Sequence, residues 1–154
     1  MKIDIGDISM IQYKKISDLR EDNDYTQEYI SKILNVSRSS YANWENGDNK
    51  IPLEILDKLS VFYNVPFSYL LDIKTKYIID KKIEPIDYEF FYNNLQKLKK
   101  KNKFTYQDIA DFLKVTKSTA YKYYVGKLDI TVDVLVLISK LNDIDVDKLC
   151  GKIK

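Results

Sequence analysis

The sequence predicts an all-α protein made of two tandem units of five short helices each. Two observations carry this reading. Residues 26–47 combine two helix N-caps, an apolar stripe at helical spacing and a terminating glycine in one register. The same pattern returns 79 residues later, and no gap is needed to align the two.

Taken in order, a first helix is expected over residues 8–21, capped by Asp7, with Ile8, Gln12, Ile16 and Leu19 along one side. Asp22, Asn23 and Asp24 make the turn that follows. Thr26 is a good N-cap, because its hydroxyl can satisfy an otherwise unpaired N–H of the first turn, so Gln27 opens the second helix. Ile30, Ile33 and Leu34 fall at i, i+3 and i+4, one face of about two turns. The period breaks over residues 34–37. Ser37 is a second N-cap, and a third helix is expected over residues 38–46. Tyr41 and Trp44 point one way from it, into the core; Arg38, Ser39, Ala42 and Asn43 point the other. Gly47 supplies the left-handed residue that ends the helix with little strain. After a polar loop at 48–50, Pro52 suits the first position of a fourth helix, whose stripe is Leu53, Leu56, Leu59 and Phe62 or Tyr63. Asn64, Val65 and Pro66 stop it. A short fifth helix is expected from Phe67 to Leu71.

Shifted by 79, Thr26 falls on Thr105, Ile30 on Ile109, Leu34 on Leu113 and Ser37 on Thr116. Trp44 falls on Tyr123, Gly47 on Gly126, Ile51 on Ile130 and Leu56 on Leu135. The expected units are therefore residues 1–71 and 87–154, joined by a connector at 72–86. The connector lacks the Gly/Ser content of a flexible linker, and its apolar patch at 77–79 is expected to pack between the units. Glu84–Pro85 or Asp87 would start the next helix, with the stripe Phe91, Leu95 and Leu98. The second copy departs from the first at both core and outward positions. Gln27 becomes Tyr106, Tyr41 becomes Ala120, and Glu45–Asn46 becomes Tyr124–Val125. Its expected outward face, on a helix over 117–125, is Lys117, Ser118, Tyr121 and Lys122, with Lys127 beyond the glycine. Tyr123 is assigned to the core through its match to Trp44, which leaves Tyr121 and Tyr124 free to stack on a partner.

The stretch 26–47 resembles the helix-turn-helix of the Xre/Cro/cI family of bacterial and phage DNA-binding regulators. The resemblance rests on Gln27, on residues 36–40 (Val-Ser-Arg-Ser-Ser) and on residues 44–47 (Trp-Glu-Asn-Gly). It implies a tandem of lambda-repressor-like domains whose recognition helices, 38–46 and 117–125, enter the major groove of double-stranded DNA. A helix N-terminus aims unpaired N–H groups and a positive dipole at phosphate, which supports that docking. The residues so implicated are Gln27, Ser37, Arg38, Ser39, Ala42, Asn43 and Lys50 in the first unit. In the second they are Tyr106, Lys117, Ser118, Tyr121, Lys122 and Lys127. Arg38 can pair bidentately with guanine O6 and N7, or it can be a solvated helix arginine. Asn43 can read adenine or hold a phosphate. Ser39 lets the helix approach closely. Gln27 braces the recognition helix or bonds a phosphate in that family, or simply opens its helix. Lys50 would meet backbone, giving affinity without sequence information. Lys97 to Lys103 form a run that is either a phosphate-binding face or a solvated one.

Composition narrows the classes. There is no histidine and one cysteine, Cys150, so His-based catalysis, zinc-finger chemistry and an intrachain disulfide are excluded. No metal, cofactor or small-molecule ligand is expected, and an enzyme is a distant reading. No run of about 18 apolar residues exists, and the N-terminus lacks an apolar signal core, so a membrane partner is not expected and a cytoplasmic, nucleoid-associated location is. The net charge of +2 hides an asymmetry. Residues 13–71 hold seven Lys/Arg against nine Asp/Glu, a net of −2, whereas residues 88–154 hold thirteen Lys against eight Asp/Glu, a net of +5. The acidic first unit keeps a second class open, a module that binds a protein such as a toxin, nuclease or polymerase. Two assemblies are expected for the DNA-binding reading. One is a single chain that covers two major grooves. The other is a homodimer joined through Tyr121, Tyr124 and the 77–79 patch.

Overall fold

The computed structural model describes residues 13–78 and 80–153. Ten helices and no strand occur among the described residues. They are α1 Lys14–Asp22, α2 Gln27–Leu34, α3 Arg38–Glu45, α4 Leu53–Tyr63, α5 Phe67–Leu70, α6 Tyr88–Lys101, α7 Tyr106–Leu113, α8 Lys117–Val125, α9 Val132–Leu141 and α10 Val146–Leu149. Asp7, Ile8 and Gln12, expected in the first helix, lie outside the described residues. Within them the helix begins at Lys14, with Tyr13 at its N-cap position.

Side-chain caps set the start of both central helix pairs. Thr26 Oγ1 accepts the Tyr29 N–H at 3.0 Å, and Ser37 Oγ accepts that of Ser40 at 3.1 Å. Their counterparts Thr105 and Thr116 accept from Asp108 and Thr119, both at 3.1 Å. Asp108 returns the bond to the Thr105 N–H at 2.7 Å, which completes a capping box. Each cap is worth about 1 kcal/mol. Of the two candidate starts for α6, Asp87 is the cap, accepting from the Phe90 N–H at 3.0 Å. Pro52 stands one place earlier than expected, at the N-cap of α4.

The turns repeat as closely as the helices. Seven non-glycine residues and three glycines have positive φ, and they form five pairs 79 apart: Asp24 with Lys103, Asn35 with Lys114, Gly47 with Gly126, Asn64 with Asp143, and Asp72 with Gly151. Each pair follows equivalent helices, so the chain reverses direction by the same backbone device in both halves.

Two expected core positions are corrected. Ile33 is 45% exposed, while Ile30, Ser31 and Leu34 are buried. At about 100° per residue these three span an arc of roughly 100°, and Ile33 falls some 60° outside it. Tyr124, assigned to the surface, is fully buried, and Tyr123 is half-buried. Tyr41 fills the core of the first half from the middle of α3. Its counterpart is Ala120, and Tyr124, one turn further on the same face, fills the space instead.

The halves meet along a seam. Leu53 N donates to Ile130 O at 2.8 Å, and Val132 N donates to Ile51 O at 2.8 Å. These bonds flank an antiparallel bridge between Pro52 and Thr131. Neither bridge residue has to donate, so proline is tolerated there. The α4 helix packs on α9, and α5 on α10. The expected packing of the 77–79 patch between the units is not seen. Tyr77 is 41% exposed and Ile78 is 88% exposed, while Ile79 lies outside the described residues. The connector is held instead by buried Ile83 and Ile86. Ile83 N donates to Asn64 Oδ1 at 2.8 Å and Ile86 N to the Asp57 carboxylate at 3.0 Å. The Lys152 ammonium, buried with Asp57, pairs with it and donates to Glu84 O at 2.7 Å, which ties the C-terminal segment to the connector.

Candidate nucleic-acid interface

The α3 helix presents one polar face outward. Ser37, Arg38 and Ser39 are exposed, and Ala42 and Asn43 are half-buried at its edge. The Ser37 hydroxyl also contacts the hydroxyls of Ser39 and Ser40, at 3.2 and 2.9 Å. Arg38 makes no ion pair among the described residues. It lines a cleft with Gln27, Thr26, Glu28, Tyr25 and Arg20, so the two expected contact residues of neighbouring helices, Gln27 and Arg38, share one depression.

The second arginine of that cleft is already committed. Arg20 grips Glu45 through Nε, at 3.0 and 3.1 Å to its two carboxylate oxygens, and through Nη2 at 2.6 Å; its Nη1 donates to Tyr25 O at 2.9 Å. The side chains are 12% and 4% exposed, so this is a buried pair that fixes the C-terminal end of α3 to α1. The hydrogen bonds to Glu45 hold the guanidinium above its ordinary range. The hydroxyls of Tyr41 and Tyr63 are buried without a hydrogen-bond partner among the described residues. Burial, with the nearby Glu45 carboxylate, pushes both phenols well above the usual range. Sequence reasoning missed this brace. Its signal was present in the comparison of the halves, because Arg20 and Glu45 change together, to Lys99 and Tyr124.

Lys50 is placed differently from the other expected contacts. Its ammonium lies 3.2 Å from Asp133 of the second half, beside the seam, and 70% of the side chain remains exposed. An exposed pair of this kind is worth about 0–1 kcal/mol.

In the second half, Lys117, Ser118, Tyr121 and Lys122 are exposed on α8 and Lys127 follows it. Tyr106 stands where the first half has Gln27, and its ring meets that of Tyr121 edge-on at 5.3 Å. Lys99 Nζ lies 4.5 Å above the Tyr106 ring and Lys127 Nζ 5.5 Å above that of Tyr121. The polar cleft of the first half is thus replaced by an aromatic pair flanked by two cations. Lys97, Lys100, Lys101 and Lys103 are exposed on and after the last turns of α6. Tyr124 is buried with its hydroxyl 3.4 Å from Asn142 Nδ2, so it cannot serve as a stacking surface. Among the described residues no helix is long and apolar enough to cross a membrane, and no acidic or cysteine cluster is arranged to hold a metal.

Two capped short helices joined by a left-handed residue, the second with its polar face outward, make a helix-turn-helix of residues 27–45. Residues 16–70 match the helix-turn-helix family model. The first half of the chain therefore carries a helix-turn-helix domain of the Xre/Cro/cI type. The chain is similar to the cryptic phage CTXphi transcriptional repressor RstR of Vibrio cholerae, with 37% identity over 71 residues, 46% of this chain and 62% of that protein. It is also similar to the antitoxin PezA of Streptococcus pneumoniae serotype 4, with 34% identity over 77 residues, 49% of this chain and 45% of that protein. The match thus spans less than two thirds of either relative. No solved structure matches the chain.

Proposed function

We propose that the protein is a sequence-specific regulator of transcription that binds double-stranded DNA and acts as a repressor. The α3 helix enters the major groove. Arg38 pairs with a guanine, Asn43 reads an adenine or holds a phosphate, and Ser39 and Ala42 allow close approach to the base edges. Ser37 and Gln27 meet the backbone beside it. One observation carries this reading: the exposed Arg38 is set beside Gln27 on a helix whose other end is locked by the buried Arg20–Glu45 pair. A reading helix must be rigid, and a base-contacting arginine must be uncommitted. The similarity to a phage transcriptional repressor supports the same assignment. The second half is a divergent copy of the first, in which α8 lies on DNA through Lys117, Lys122 and Lys127. Selection of bound duplexes from a random pool, at two salt concentrations, tests the proposal. Enrichment of a defined sequence supports it, and no enrichment at low salt ends it.

A second reading has its own observation. Tyr29 and Ile33, one turn apart on α2, are 44% and 45% exposed, and residues 13–71 carry a net charge of −2. In this reading the first half binds a protein partner through α2, either instead of DNA or beside it. A duplex pool that yields no sequence, together with a specific complex lost on Ile33→Asp, would favour it.

A further inference from the structure

We infer that one chain is a complete pseudo-dimer, which grips two unlike half-sites about one helical turn apart without a second copy. The inference rests on the DNA-binding reading above and adds the geometry of the target.

The contact between the halves has the form of a two-fold interface. In a symmetric dimer, residue i of one copy meets j of the other, and j meets i. Here Leu53 N donates to Ile130 O, and Val132 N donates to Ile51 O. Ile130 and Val132 are the 79-shifted counterparts of Ile51 and Leu53. The two bonds are therefore the same bond made twice, once in each direction. The bridge between them pairs Pro52 with Thr131, again a residue with its own counterpart. The helices that pack across the seam are α4 on α9 and α5 on α10, likewise each with its counterpart. A local two-fold axis thus passes between Pro52 and Thr131.

The axis also relates the recognition helices. The α3 helix ends at Glu45, seven residues before Pro52, and α8 ends at Val125, six before Thr131. Seven residues reach at most about 25 Å, so the two helix ends lie within about 50 Å of each other across the axis. The spacing of about 34 Å between successive major grooves on one face of a duplex falls inside that reach. Two helices related by such an axis meet the two half-sites in opposite orientations, as the two copies of a homodimer do.

The exposed faces they bring are unlike. Arg38, Ser39, Ala42 and Asn43 on one side stand at the places of Lys117, Ser118, Tyr121 and Lys122 on the other, and only the serine is shared. A palindrome would be read by only one of them. The segment 51–53 and helix α5 are already covered by the second half, so a second chain cannot use them.

Three measurements on the full chain test this. The mass of the complex on the selected duplex, by light scattering or native mass spectrometry, should correspond to one 18.2 kDa chain. The selected sequence should hold two dissimilar half-sites on the same face. Inserting five base pairs between them moves one to the opposite face and should weaken binding at least tenfold; inserting ten restores the face but sets the half-sites about 68 Å apart, beyond the reach of one chain, so binding should stay weak. Two chains on a palindrome, a protected region of one half-site, or indifference to the five-pair insertion would overturn the pseudo-dimer while leaving DNA binding intact. If no sequence is selected at all, the DNA-binding reading fails, and this inference with it.

Discussion

The carboxylate of Asp147 accepts the backbone N–H of Ser68 at 3.1 Å and that of Phe67 at 2.6 Å, and Ser68 is the residue at Asp147's own place in the first half. The second half thus caps α5 of the first with a carboxylate, and among the described residues Ser68 makes no matching bond in return. Asp147 is fully buried, so removing the carboxylate strands two N–H groups. Asp147→Ala should destabilise the protein by about 1–3 kcal/mol for each group left unpaired, read as a lower urea midpoint. Because the seam is part of one continuous core, the loss should appear in a single transition. Two separate transitions, with only one affected, would contradict that.

The same carboxyl has a pH signature. Burial raises it above its ordinary value of 3.8, and the N–H bonds only partly oppose this. Its folded pKa therefore exceeds its unfolded one, and between the two the native state binds more protons. Stability from this group falls as pH rises through that window, from 3.8 upward to the folded pKa. Asp147→Asn should remove that slope, so the wild type minus Asn difference in stability should shrink with rising pH above 3.8. A difference that widens would show that the carboxyl is lowered by folding.

The Arg20–Glu45 pair invites a test of what braces α3. Breaking a buried pair from one side costs about 3–5 kcal/mol, because a charge is left without its partner. With Arg20 12% exposed, the low end is expected for Glu45→Ala, about 3 kcal/mol. The paired change Arg20→Met with Glu45→Met should be milder than Glu45→Ala alone. Chemical denaturation of the three variants decides it, and a double variant that is worse than the single one would mean that the pair stabilises the fold outright.

Much of the fold was legible because its signals are local. Thr26, Ser37, Thr105 and Thr116 announce their helices by side-chain chemistry alone, and Gly47 and Gly126 mark the ends. The 79-residue offset carried the arrangement of the first half onto the second. The misreadings share one cause, which is that burial depends on neighbours remote in sequence. Ile33 fits a helical stripe by spacing, yet the arc that meets the core is chosen by α3 and α4, and Ser31 takes the place. Tyr124 could be assigned only by seeing that Ala120 leaves a space. The Ile78 patch looked like a buried anchor, and the burial falls on Ile83 and Ile86 instead. For the site, the caps at Ser37 and Thr116 fixed where α3 and α8 begin, and Arg38, Ser39, Lys117, Ser118, Tyr121 and Lys122 are exposed as expected, while Ala42 and Asn43 are half-buried. The seam bonds of residues 51–53 had no local signature.

Gly47 and Gly126 separate two reasons for a glycine. Both have left-handed backbones, with φ of 80° and 77°. A Cβ at Gly47 would meet nothing, but at Gly126 it would sit 2.8 Å from Cε2 of the Tyr92 ring. Gly47→Ala should therefore lower stability by about 1–2 kcal/mol, the strain of the left-handed backbone. Gly126→Ala should lose more, and adding Tyr92→Ala should narrow its excess over the background Tyr92→Ala. Equal losses at the two glycines would show that the ring gives way freely.

The division of labour between the recognition helices gives the last test. Arg38 is exposed and unpaired among the described residues, and its fork can match guanine O6 and N7. Arg38→Ala should cost about 1–3 kcal/mol on the selected sequence and relax preference at one or two base pairs. Being exposed, Arg38 should leave the urea midpoint unchanged. Lys117 and Lys122 are point charges on the opposite half, in a region with a net charge of +5. Lys117→Ala or Lys122→Ala should weaken all sequences by a similar factor. Each should also reduce the slope of log K against log salt by about one, since a phosphate contact releases about one counterion. The contrast is read in one set of titrations, with wild type and variants on the selected site and on single-base changes, at several salt concentrations. If the lysine changes shift the preferred bases while the arginine change lowers all affinities alike, α8 reads the sequence and α3 holds the backbone.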